Sequence, residues 1–317
     1  MQKYDVEVIF ADLLKDSMKT AVGSAKENAF SLLFADFKEI TKVRLAISVV
    51  FSSIAGYFLG AYQVQFTEVL LLSFGGYCMV GASNAFNQVI EKDLDALMKR
   101  TQNRPIPAGR MTVNHAMTIA VVLTLLGVLA LYIINPKTAM FGAVSIFLYT
   151  SVYTPLKTIT PLAVFVGAIP GAIPFMLGWV AATNEFGIEP GTLFMIQFFW
   201  QFPHFWALGW MLNDDYTKGG FKMLPTGNKD TATVLQIIMY TIWMMVISVI
   251  PVFGITGRLQ LSVSAAILIF LMGGVMLVFA FRLYAKRDNT SARNLMLASV
   301  SYITLMQIVY VIDKYLG

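Results

Sequence analysis

Five oxygen- and amide-bearing side chains recur through a stretch of otherwise apolar sequence: Asn84, Asn87, Gln88, Glu91 and Asp95. A helix advances about 100° per residue, so these five fall within an arc of about 100°, while Asp93 points the opposite way. Lys99, Arg100 and Arg104 follow directly. Oxygen ligands on one face suit Mg²⁺, which prefers a few carboxylates shared with substrate phosphates, and guanidinium and ammonium groups suit the phosphate oxygens themselves. The chemistry implied is a metal–diphosphate site.

A second segment, "WQFPHFWALGWMLNDDYTKGGFKMLP" from Trp200 to Pro225, repeats the order of acid then base. His204, Leu208, Met211 and Asp215 share a helical face, Asp214 adjoins Asp215, and Lys218 and Lys222 follow. Two such segments on one side could close over one diphosphate. Lys157, the sole base of a very short loop, is a third phosphate candidate, a topology signal being the alternative. Of the two histidines, His115 sits at a helix start, where contact with headgroups accounts for it. His204 lies inside an apolar span between Pro203 and the pair Phe205 and Trp206; a buried imidazole must be hydrogen-bonded or ligated.

The elements that must position these groups are membrane spans. The chain has 317 residues, 57% hydrophobic and only 13% charged, with mean hydropathy +0.68, against roughly 25% charged in soluble domains. Nine apolar stretches, near 43–63, 66–90, 114–134, 138–153, 159–183, 191–212, 231–256, 260–283 and 292–315, approach or reach the roughly 20 residues a helix needs to cross a bilayer. The expectation is an all-α polytopic membrane protein, nine helices around a central cavity, as one domain over 42–317. With the N-terminus cytoplasmic, all of the 23 basic residues except Lys137, Arg258 and Lys314 fall on the inner side, as the positive-inside rule requires. The site then opens toward the cytoplasm. The net charge of +5 is explained by that topology and not by nucleic acid. Residues 1–41 read as a cytoplasmic or interfacial tail. They carry acids among the lysines and no apolar core, which excludes a signal or transit peptide. Within them "AFSLLFADFKEI" suits an amphipathic surface helix or a solvated segment. Cys78, alone and inside a span, excludes an internal disulfide. Gly167, Gly171, Pro170 and Pro174 point to close packing and a kink in the fifth span.

Asn87-x-x-x-Glu91-x-x-x-Asp95, a second acidic motif after the sixth span and nine predicted spans together resemble the intramembrane aromatic prenyltransferase superfamily. The strings "DALMKRTQNRP", "YTPLK", "PHFW" and "DDYTKGGFKMLP" are similar to those of its haem-farnesylating branch, from about Lys42 to the last span. The chain departs from the superfamily pattern at Gln88 and Glu91, where aspartates are usual, and at Val43 and Thr158. Where quinone-making members carry a more acidic second motif, it has His204 and Met211.

The resemblance implies transfer of the farnesyl group of farnesyl diphosphate to a vinyl group of haem b, with addition of water, giving haem O. It implies Mg²⁺ held by Asn87, Glu91, Asp95, Asp214 and Asp215, and diphosphate bound by Lys99, Arg100, Arg104, Lys157 and Lys218. Asn84, Tyr153, His204, Phe205 and Trp206 would line the haem or prenyl site, with Phe86 and Phe202 as further aromatic faces. His204 would act in catalysis. Membrane lipid and a downstream haem-modifying membrane enzyme are the partners implied, and a bacterial cytoplasmic membrane the location. The rival readings are prenylation of a quinone-precursor ring, transport of an anion, and a haem-handling structural subunit. A transporter should place charge at mid-membrane and repeat itself internally, whereas here the charge gathers at one face. A structural subunit explains neither acidic cluster.

Overall fold

The computed structural model describes residues 31–316, among which there is no β-strand. Nine long helices run through them: α1 (Val43–Gly60), α2 (Phe66–Ile90), α3 (Val113–Ile134), α4 (Pro136–Phe147), α5 (Ala163–Thr183), α6 (Ile188–Met211), α7 (Thr231–Ile247), α8 (Val263–Lys286) and α9 (Asn289–Leu316). Local sequence fixes where several begin. Thr112, Asn135, Asp230 and Ser262 each accept a hydrogen bond from the backbone N–H three residues on, satisfying a donor that the first turn leaves open. The fourth span, predicted as 138–153, is longer, because α4 continues through a π-helical turn, Leu148–Tyr153, into Thr154–Leu156.

Hydrogen bonds sort the loops into two ends. At one end Lys222 N–H donates to the Lys157 carbonyl, the amides of Lys99 and Arg100 donate to Asp215, and Lys229 reaches Asn289. At the other, Lys137 donates to the Asn184 carbonyl, Arg258 pairs with Glu185, and Lys314 donates to the Ala61 carbonyl. The nine helices therefore alternate in direction. Eight of the spans are long and apolar enough to cross a membrane. The ninth, α6, spans 24 residues but carries Gln197, Gln201 and His204 into the interior. Outward-facing Leu125, Leu129, Ile133, Leu271 and Val275 give the bundle an apolar surface, as hydrocarbon solvent demands.

Helix α5 is central: 72% of its apolar window is buried, against 28% for the outward-facing α3. Close approach to α1 is possible because a Cβ at Gly178 would collide with the Ser53 carbonyl, and one at Gly56 with the Phe175 carbonyl. The prolines inside α5 leave backbone groups without helical partners. Pro174 has no N–H for the Pro170 carbonyl, and Ser145 Oγ donates there instead at 3.3 Å. Phe175 N–H turns to Gln197 Oε1 at 3.1 Å, and Gln201 Nε2 donates to the Ala168 carbonyl at 2.8 Å. The kink is thus held by amide side chains from α6, which draws that helix against the interior.

The predicted tail lies mostly outside the described residues. Within it, residues 31–41 are helical, with Leu32, Leu33 and Phe34 exposed and Ile40 buried. Arg110 fastens this helix through Asp36 at 2.8 Å and Glu39 at 2.9 Å. The arrangement has the two faces expected of a surface helix.

Candidate active site

Helices α1, α2, α4, α5, α6 and α9 enclose a cavity of about 700 Å³. Its polar end is built from the last turn of α2 and the segment after it. Asn84 and Asn87 project from α2, Glu91 is its C-cap, and Asp95 ends the short helix Lys92–Asp95, so the shared face persists past the end of the helix. Asp93 is exposed, as that geometry requires. Glu91 and Asp95 are 3% and 0% exposed. Buried charges at this depth need partners: Lys157 Nζ lies 2.8 Å from Glu91 Oε1, and Arg104 donates to Asp95 Oδ2 at 2.6 Å.

The π-helical turn of α4 presents Tyr149 and Tyr153 to the cavity. Lys157 Nζ stands 4.6 Å from the Tyr153 ring centre. Thr154 Oγ1 donates its one proton to the Tyr149 carbonyl at 2.8 Å, so it can only accept from Asn87 Nδ2, 3.2 Å away. Asn84 Nδ2 donates to the Val80 carbonyl at 2.9 Å. Both asparagines thus spend their nitrogens on protein acceptors and keep their oxygens. Asn84 Oδ1 and Asp95 Oδ1 are buried with no hydrogen-bond partner. The open Asp95 oxygen, with Glu91 and Asn87 one turn apart before it, is of the kind a hard divalent cation takes, whereas Asn84 lies seven residues before Glu91, about 10 Å along α2, and stands apart from them.

Five bases, Lys42, Arg44, Arg100, Arg104 and Lys157, line the same cavity with only two acids. Burial, then the neighbouring Arg104 and Lys157, pull the Lys42 ammonium down to about 7, Glu91 opposing them in part. Burial pushes the Tyr216 phenol up. This excess of positive charge suits a multiply charged anion. Away from it the walls are mostly apolar, with Val164, Trp200, Phe205, Leu208 and Ile303, interrupted by His204 and by the amides and hydroxyls of Gln197, Gln201, Gln307, Ser52 and Thr304. The cavity also reaches the outer surface between α1 and α9, where Leu45, Ile47, Phe51 and Val300 line it and are exposed outside. Further along, the two helices are joined by Ser52 and Gln307 and, at the far end, by Lys314 Nζ on the carbonyls of Phe58, Leu59 and Ala61.

Of the residues predicted from sequence, Asn84, Asn87, Glu91, Asp95, Arg100, Arg104, Tyr153, Lys157, His204 and Phe205 meet on this cavity. Others stand elsewhere. Asp215 directs Oδ1 at the Lys99 amide, 2.8 Å, and Oδ2 at the Arg100 amide, 3.2 Å, so it clamps the loop that carries Arg100. Asp214 is 88% exposed at its side chain and approaches Lys229 at 3.7 Å. Lys99 and Lys218 are exposed outside the cavity. Trp206 and Phe202 are buried in the core against Tyr240, Phe86 packs beside Ile40, and Gln88 Nε2 donates to the carbonyls of Glu39 and Ile40. Among the described residues, no three of His, Cys, Asp or Glu gather as a metal group. The two-sided acidic shell expected from the sequence is therefore not assembled, because the second segment spends its carboxylate on backbone amides. Tyr149, Tyr216, Gln197 and Gln201 were missed, Tyr149 alone leaving a signal in its spacing of four from Tyr153. Lys42 and Arg44 stood out in the sequence only as the basic entry to the first span around Val43, with no site role assigned.

The UbiA prenyltransferase family matches residues 49–304. A relative from Christiangramia forsetii named protoheme IX farnesyltransferase is 67% identical over 289 residues, covering 91% of this chain and 96% of its own. One of the same name from Flavobacterium psychrophilum is 65% identical over 287 residues, 90% and 96% of the two chains. Among solved structures, a digeranylgeranylglyceryl phosphate synthase superposes with TM-score 0.73 at 15% identity, covering 88% of this chain and 98% of its own. A UbiA homolog from Archaeoglobus fulgidus bound to GPP and Mg²⁺ does so with TM-score 0.64 at 13% identity, 87% and 99% covered. The shared all-helical fold, the family match over most of the chain and the identity to relatives along nearly their whole length place this protein in the UbiA prenyltransferase family.

Proposed function

We propose that this chain transfers the farnesyl group of farnesyl diphosphate to a vinyl carbon of haem b and that water completes the product, haem O. The observation that carries this reading is one cavity with two characters. Its polar end sets five bases beside two carboxylates, with one Asp95 oxygen unmet, while the rest is mostly apolar and opens sideways between α1 and α9. An amphiphile with a charged head and a long apolar tail matches both. The names of the relatives support haem as acceptor, and the neighbour bound to GPP and Mg²⁺ supports a prenyl diphosphate and a divalent cation.

The residues can be given roles. Arg100, Arg104, Lys42 and Lys157 hold the diphosphate oxygens, and these bonds strengthen as the C1–O bond of the donor breaks and charge moves onto the leaving group. Asn87, Glu91 and Asp95 would hold Mg²⁺, whose contribution when bound is to neutralise that charge and align the leaving group. Tyr149 and Tyr153 present ring faces to the allylic cation left behind. The vinyl group's terminal carbon bonds to C1, the positive charge passes to the carbon next to the porphyrin, and water adds there with loss of a proton. The walls beyond the polar end shield the cation from earlier capture. Asp215 acts at one remove by holding the Arg100 turn. We place the polar end on the cytoplasmic side of a bacterial membrane, in keeping with the basic residues gathered there, and residues 42–317 as a single catalytic unit.

Purified full chain incubated with haem b, farnesyl diphosphate and Mg²⁺ should yield the hydroxyethylfarnesyl porphyrin by mass spectrometry. Transfer to a phenolic quinone precursor in preference to haem would overturn the assignment of acceptor.

A further inference from the structure

His204 faces the apolar part of the cavity, and three contacts fix its ring. Its plane stacks on Trp200, with ring centres 4.9 Å apart and 19° between planes. Trp200 Nε1 in turn donates to the Ser299 carbonyl at 2.7 Å. His204 Nδ1 lies 2.8 Å from Ser299 Oγ. Ser299 Oγ is also 2.6 Å from the Met296 carbonyl. Two oxygens that close must share a proton, and the carbonyl has none to give. Ser299 therefore donates to Met296 and accepts from His204, so the proton of the neutral imidazole sits on Nδ1. Nε2 is left as an unprotonated base.

Ser299 is fully buried, and its hydroxyl has two partners, the Met296 carbonyl of its own helix and the His204 ring of α6. A neutral imidazole carries one donor and one acceptor nitrogen, and a packed one satisfies both. One whose tautomer and plane are set while its acceptor nitrogen has no protein partner, on a cavity wall, is built like a metal ligand with its supporting shell. We infer that His204 Nε2 is the axial ligand to the haem iron of the acceptor, and that Ser299 is the positioning residue that keeps Nε2 unprotonated and aimed. The inference rests on the proposed haem substrate. His204 lies seven residues before the end of α6 at Met211, about 10 Å along the axis, short enough for a porphyrin held by its iron there to bring its edge toward the diphosphate end.

The test uses the full chain in lipid nanodiscs with ferrous haem b and reads the iron–histidine stretch by resonance Raman, with haem affinity by titration. The chain has two histidines, and His115 is exposed at the start of α3. Wild type and His115→Ala should show the stretch; His204→Gly should lose it and regain ligation with added imidazole. Ser299→Ala should weaken haem binding about tenfold and shift the stretch to lower frequency, because Nδ1–H loses its acceptor, while Ser299→Thr restores both. The backbone carbonyl that holds Trp200 survives these changes, so tryptophan fluorescence serves as the check on folding. A stretch that persists in His204→Gly, or is unmoved in Ser299→Ala, would overturn the inference. Haem that is farnesylated without any such stretch overturns the inference alone; a wild type that neither binds nor farnesylates haem overturns the proposed function with it.

Discussion

The two acidic segments, Asn87–Arg104 and Asn213–Lys222, look alike in sequence, each running from acids to bases at a helix end, yet they are used differently. In the first, Glu91 and Asp95 are buried on the cavity wall, each held by one base, with Asp95 Oδ1 left open. In the second, Asp214 is solvent-facing and Asp215 grips the backbone of the first segment from outside. Burial decides between them. A carboxylate left unmet in a low-dielectric cavity is costly unless a cation arrives, whereas one that accepts two amide protons is already satisfied. We propose on this contrast that the first segment receives charge and the second holds the first in place.

The largest effect expected from this contrast belongs to Asp95. Asp95→Asn should lower turnover by about 10²- to 10³-fold, the scale of losing one preorganised electrostatic contact at the leaving group, and raise the Mg²⁺ needed for half-maximal rate. Asparagine is chosen over alanine because it keeps the side-chain volume and an acceptor for Arg104. Either change removes one charge of a buried ion pair, which commonly costs about 3–5 kcal/mol, so a folding check accompanies the kinetics. Near-normal turnover with an unchanged Mg²⁺ requirement would remove Asp95 from the site.

Lys42 gives the next largest effect, through pH. In the free protein its ammonium titrates at about 7, and a bound diphosphate must raise that value. Its contribution to binding is therefore fully present below pH 7 and is lost as pH rises toward the pKa of the complex. Donor affinity should weaken by up to about tenfold per pH unit above neutrality, a range in which a phosphate with its second ionisation near 6 no longer changes charge. Guanidinium groups keep their charge at any such pH, so Lys42→Met should flatten the profile. Calorimetric titration at several pH values measures it, and a profile identical to wild type would exclude Lys42 from diphosphate binding.

Asp215→Asn comes third. It keeps one acceptor oxygen and loses the second, so turnover should drop about tenfold, the scale of losing a supporting hydrogen bond, with the Mg²⁺ requirement unchanged. A raised Mg²⁺ requirement would instead make Asp215 a metal ligand and erase the contrast. Asp214→Ala should stay within about twofold of wild-type turnover, as exposed pairs contribute little. The alternation of the nine helices adds one check without kinetics: in a background where Cys78 is replaced, cysteines at Glu185 and Asp214 should label from opposite sides of the membrane, and labelling from one side would break the topology.

What the sequence determined by itself is what depends on local periodicity and solvent preference. The nine helices stand where the apolar runs stand, because a span in hydrocarbon must satisfy its own backbone. The shared face of Asn84, Asn87, Glu91 and Asp95 follows from residue spacing alone, whereas the segment 31–41 reads from sequence as either a surface helix or a solvated stretch and only the structure shows it helical. The tertiary structure decided everything that requires one element to meet another. It turned Gln88 to the backbone of that surface helix and Asp215 to the Lys99 and Arg100 amides, and it buried Trp206 against Tyr240. It brought Lys42, on the far side of α1 in sequence, beside Lys157 and Arg104. A π-helical turn that no composition marks rotated Tyr149 and Tyr153 into the cavity. The physical reason is common to these cases: spacing along a helix fixes which residues share a face, but which face is paired, capped or left open depends on partners contributed from dozens of residues away.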